Sequence, residues 1–149
     1  MQDARRVAFV HAFSMAGSGV VGALAEDYHL TSERIDDCSF CIHLKGLDMV
    51  IYLGFGHVVS VIAYLQPPPT IAGQVSPLAI GIGHLLEYRK ADVALLNLRT
   101  RQPSEVATKL RELADIIRQY ADSFLGGDMS EWRGLCAYVD ERIRNSRSH

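Results

Sequence analysis

The chain has 149 residues, nearly half of them hydrophobic, which fits a single domain (1–149) with a sizeable core. Fifteen basic and 17 acidic residues leave a net charge of −2, which excludes the basic footprint of a nucleic-acid or anionic-membrane binder. Three cysteines at irregular spacing argue against a disulfide framework and for a reducing, cytoplasmic setting.

Taken in order, residues 4–30 admit two readings. One is a helix with Val7, Val10, Phe13 or Ser14, and later Val20, Val21, Leu24 and Tyr28 on an apolar stripe, weakened by Gly17, Gly19 and Gly22. The other is a strand over 6–13, a glycine loop, then a helix over 20–28. Arg5-Arg6, the apolar stretch and Ala23-Leu24-Ala25 imitate a signal peptide, but Asp3, His11 and the glycines interrupt that pattern, and the segment is expected to belong to the fold. No uninterrupted apolar run reaches the ~18 residues of a membrane span.

Residues 29–38 (HLTSERIDDC) read as a polar connector. Three short apolar runs follow between Phe40 and Leu65, separated by Gly46 and by Gly54 and Gly56. Such runs predict strands, and strands joined this closely are antiparallel, because a parallel crossover needs a dozen or more residues. In the first, Phe40, Ile42 and Leu44 share one face and Cys41, His43 and Lys45 the other. The second, Met49–Leu53, is apolar throughout and is placed centrally. In the third, Val59, Val61, Ala63 and Leu65 oppose Val58, Ser60, Ile62 and Tyr64.

Gln66–Pro77, with Pro67, Pro68 and Pro69, ends the sheet or forms an exposed edge loop. The alternation over Leu78–Tyr88 predicts a fourth strand, and residues 84–98 are a hairpin return or a helix. A helix begins at Pro103 or Ser104. Val106, Leu110, Leu113, Ile117, Tyr120 and Phe124 form a narrow apolar seam on its charged surface. Gly126-Gly127 stop it, Asp128-x-x-Glu131 starts the next, and Trp132, Leu135, Cys136, Val139 and Ile143 form the inner face of the last helix. The heptad-like seam reads first as intramolecular packing and second as a homodimer contact.

Several motif fragments carry possible chemistry. Gly17-x-Gly19-x-x-Gly22 matches the dinucleotide fingerprint, in which backbone amides at a helix N-terminus hold a pyrophosphate. It requires a parallel strand after the helix ending in an acidic residue, whereas Asp36 and Asp37 precede the next apolar run. Ser14, within Ala12-Phe13-Ser14-Met15-Ala16, imitates the nucleophile elbow of α/β-hydrolases but lacks the strands that should precede it; Asp48 or Asp92 with His57 or His84 would complete a triad. Cys38-Ser39-Phe40-Cys41 is a CxxC. With His43, and with His57 if two turns meet, it offers a metal or redox set, although cysteines three apart on one strand point to opposite faces. Trp132 reads as core first and as a binding platform second.

The closing stretch RELADIIRQYADSFLGGDMSEWRGL, with Tyr120-Ala121, Leu125-Gly126-Gly127-Asp128 and Trp132, resembles the terminal helix pair of small bacterial α+β proteins, some of toxin-immunity type. The resemblance implies a single-domain cytoplasmic protein that binds another protein; it supplies no active-site residues.

The expected fold is α+β: an N-terminal helical segment, an antiparallel meander of three to five strands, and a C-terminal two-helix hairpin on one sheet face. The expected function is a non-enzymatic interaction module without a cofactor, with no nucleic-acid or membrane partner. It would bind a protein through the open sheet face or the proline loop, with Pro67, Pro68, Pro69 and Trp132 as contacts. The alternative is a small enzyme or nucleotide or small-ligand binder using Gly17, Gly19 and Gly22, or Cys38, Cys41 and His43.

Overall fold

The computed structural model describes residues 3–67 and 79–147. It is an α+β protein. Helix α1 (Asp3–Asp27) leads into strands β1 (Thr31–Asp36), β2 (Ser39–His43), β3 (Asp48–Phe55) and β4 (Val59–Gln66). These four form an antiparallel meander in chain order. Two short segments close the outer edge of β4. β5 (Ile80–Gly81) pairs at Tyr64–Leu65, and β6 (Arg99–Thr100) pairs at Val59–Ser60. Between them come α2 (Ile82–Tyr88) and a 3-10 turn over Val93–Leu96; α3 (Val106–Tyr120), the short α4 (Asp122–Leu125) and α5 (Trp132–Arg147) follow.

The period-two alternation decides which face is roofed. Phe40 and Ile42 of β2, Met49, Ile51 and Leu53 of β3, and Val59, Val61, Ala63 and Leu65 of β4 are buried in one cluster with α1 and α3. Phe13 of α1 meets Phe40 with ring centroids 5.5 Å apart. Gly17 lies one helical turn further along. A Cβ there would come within 2.3 Å of the Phe40 ring, so the glycine is what lets α1 settle onto β2. α3 buries Val106, Leu110, Leu113 and Ile117, the predicted seam, beside α1 and over β4. α5 joins the assembly through α2, burying Leu135 and Val139.

Four local expectations need correction. The connector over 29–38 contains β1, every residue of which is exposed. An edge strand needs no apolar alternation, and Glu33 and Arg34 suit an edge that must not pair with another chain. The fourth strand survives only at Ile80–Gly81; beyond it Ile82, Leu85 and Leu86 pack with helical spacing in α2. Ile143 is 42% exposed rather than inside α5. The Glu131 carbonyl accepts the first bond of α5, from the Leu135 amide, but its carboxylate does not close a capping box with Asp128. The Glu131 carboxylate takes two hydrogen bonds from Arg89 Nη1, at 3.0 and 3.2 Å, while Arg89 Nε donates to the Tyr120 carbonyl. That guanidinium ties the end of α2 to the α3–α4 junction, which fixes the stretch that periodicity could not resolve.

Candidate functional site

No described helix lies over the second face of the sheet, and the register lines its residues up in rows. Glu33, Cys41, Val50 and Tyr64 sit opposite one another across β1 to β4. One row towards the β2–β3 turn come Thr31, His43, Asp48 and Gln66, and one row the other way Ser39, Tyr52 and Ile62. Cys41 and Val50 are each only 4% exposed, yet neither belongs to the roofed core. Tyr52 and Tyr64 meet edge to face with centroids 5.7 Å apart. Burial raises both phenols above their ordinary range. Ile35, Ser39, Val50, Tyr52, Tyr64 and Ala79 line a cleft of about 660 Å³ that is open to solvent. Its lining includes one carboxylate, Asp36, whose Oδ1 accepts from the Cys38 amide and the Ser39 hydroxyl at 2.8 Å each; Glu33 and Asp48 lie outside the cleft, further along the same face.

At one end of this face the side chains converge. The β2–β3 turn is closed by the Leu44 amide donating to the Leu47 carbonyl at 2.8 Å, with Gly46 at φ +86°. Only a residue without a Cβ adopts that conformation freely, and the turn makes His43 and Asp48 the last pair of the ladder. His43 Nδ1 lies 3.0 Å from Asp48 Oδ1 and 3.8 Å from Cys41 Sγ, while Nε2 lies 3.1 Å from Glu33 Oε1. The hydrogen bond to Asp48 is the largest influence raising the His43 pKa, with Glu33 adding to it and burial opposing. Burial pushes the Cys41 thiol up to about 12, with the Asp48 and Glu33 carboxylates acting in the same direction. Among the described residues, His43 is the only ionic partner of Glu33 and Asp48.

The residues singled out from sequence fall in different places. Cys41 and His43 are together, and Asp48, which entered the sequence reading only as a triad candidate, completes their cluster. Glu33 went unnoticed because β1 was read as a connector. Cys38 lies at the β1–β2 turn and packs against the roofed core. His57 occupies the β3–β4 turn, at the opposite end of β3 from the β2–β3 turn; eight residues at about 3.3 Å each keep it from His43. Gly17, Gly19 and Gly22 lie inside the single helix α1, so the strand–loop–helix reading and its free amide cradle are overturned. Ser14 is on the same helix, not on an elbow. Trp132 packs edge to face on Phe124 at 6.3 Å, as part of the core margin. Pro67 follows β4 half-buried, and Pro68 and Pro69 lie outside the described residues. An 18-residue window of α1 has a mean hydropathy of 1.6 and is apolar and long enough by composition to cross a membrane; 28% of that window is buried, and Phe9, Phe13, Val21 and Leu24 of the helix lie in the core.

No protein family, curated protein or solved structure matches this chain.

Proposed function

We propose that the protein is a non-enzymatic protein-binding module whose contact surface is the helix-free face of the sheet. The observation that carries this reading is the Val50–Tyr52–Tyr64 cleft, with exposed Ile35 at its margin. Tyrosines on a rigid sheet give large contact area at low entropic cost, and such anchors dominate interface energetics. The cleft is open to solvent, which suits side chains of a partner better than a sequestered substrate. The Asp36 carboxylate at the cleft, with Glu33 and Asp48 further along the same face, favours an apolar or aromatic anchor flanked by lysine or arginine. The likeness of the closing helices to toxin-immunity-type proteins fits a protein partner, and with the free cysteines it supports a bacterial cytoplasmic setting.

Selection of a displayed random-peptide library on the immobilised protein tests the reading. Enriched peptides should share an aromatic or aliphatic anchor beside a basic residue and lose at least tenfold in affinity for Tyr52→Ala or Tyr64→Ala, the loss of about 1.4 kcal/mol of a buried anchor. No enrichment, or peptides that bind both variants as well as the wild type, contradicts it. Self-association weakened by the same substitutions would make a second copy of this chain the occupant and overturn the partner reading.

A further inference from the structure

We propose that Cys41 Sγ, His43 Nδ1 and Asp48 Oδ1 form a three-ligand site for a divalent transition metal of the zinc class, with Glu33 as the group that orients the imidazole. The three donor atoms lie within 4.8 Å of one another. Tetrahedral ligands at about 2.0–2.3 Å from zinc stand about 3.3–3.8 Å apart, so closing the triangle takes at most about 1–1.5 Å of movement along any edge. The 3.8 Å from sulfur to Nδ1 already matches, and the 3.0 Å from Nδ1 to Oδ1 needs to open slightly.

The donor set is one that favours zinc or cobalt over the harder magnesium and calcium, because it combines thiolate and imidazole with one carboxylate. Glu33 sits on the far side of the ring, 3.1 Å from Nε2, where it holds the Nε2–H tautomer and turns Nδ1 towards the other two donors. Asp48 faces this point and Glu33 the opposite edge of the ring, and neither is paired with a lysine or arginine among the described residues. Access is from the His43 side, whose side chain is 42% exposed, whereas Cys41 forms the closed floor. Binding replaces the Cys41 thiol proton by the metal and releases it to solvent; where His43 starts as the imidazolium its Nδ1 proton is released as well, and Nε2–H stays hydrogen-bonded to Glu33. The fourth position remains for water or a donor from a bound partner.

Cobalt(II) titration of reduced, chelator-stripped protein provides the test. One equivalent should bind with tetrahedral visible bands and a near-ultraviolet thiolate-to-cobalt band, and zinc should displace it. Cys41→Ser should abolish the thiolate band. Asp48→Asn and Glu33→Gln should each weaken binding about 10–100-fold, Glu33→Gln with the bands retained. Cys38→Ser and Cys136→Ser should leave the spectrum unchanged, which controls for the remaining thiols without touching the cluster. Circular dichroism of each variant separates lost ligation from lost fold. The proposal is overturned if wild-type protein binds no cobalt at micromolar levels, or if the thiolate band persists in folded Cys41→Ser.

Discussion

Along β3, Met49, Ile51 and Leu53 enter the roofed core while Asp48, Val50 and Tyr52 face away from it, so one strand serves two surfaces built on opposite rules. The roofed side is aliphatic, and its fit is set by close approach, with Gly17 against the Phe40 ring. The other side gathers the tyrosines, the buried thiol and the convergent carboxylates. Packing explains every residue of the first set. It does not explain why an exposed imidazole should be held between two carboxylates, and that excess of chemistry over structural need is the ground on which we propose a function for the second face.

Substitutions should separate the two faces. Phe13→Ala, in the roofed core, should lower unfolding stability by about 3–5 kcal/mol in denaturant titration, because it removes a fully buried ring. Gly17→Ala should cost about 1–3 kcal/mol by overpacking against Phe40, although alanine is the better helix former; Gly19→Ala and Gly22→Ala, with nothing within 4 Å of the new Cβ, should stabilise by up to about 1 kcal/mol. Equal effects at all three glycines would remove the argument for close approach. Tyr52→Ala, on the open side, should cost about 1 kcal/mol of stability while abolishing peptide binding. A loss as large as that of Phe13→Ala would make Tyr52 a core residue.

The smallest effect concerns protonation. In metal-free protein, His43 should titrate above the ordinary value of about 6.5 when followed by proton NMR, and Asp48→Asn should bring it back down. A raised folded pKa gives stability that is fully present below about pH 6.5 and lost as pH rises through the folded value, so the stability gap between wild type and Asp48→Asn should narrow towards alkaline pH. A gap that widens instead would contradict the geometry at the β2–β3 turn.

Much of the architecture is legible in the chain. The alternation in Phe40–Leu44 and Val59–Leu65 and the seam at Val106–Ile117 mark the buried faces directly, because burial imposes a period. β1 escapes notice because an exposed edge strand imposes none. Periodicity is likewise silent on residues 84–98, whose conformation depends on Arg89 reaching Glu131 and Tyr120, contacts 42 and 31 residues away in sequence. The site is half legible. Cys41 and His43 share a strand face by simple parity, but Asp48 joins them only through the register of a Gly46 turn, and Glu33 only through a strand that the pattern hides.

Whether the helix-free face is the working face is tested most directly by mapping amide shifts of labelled protein as a selected peptide is added. The account predicts changes concentrated at Cys41, Val50, Tyr52 and Tyr64, with α1 and α3 silent. Changes centred on exposed Val7 and Met15 of α1, or on the charged stripe of α3 around Lys109 and Glu112, would contradict it.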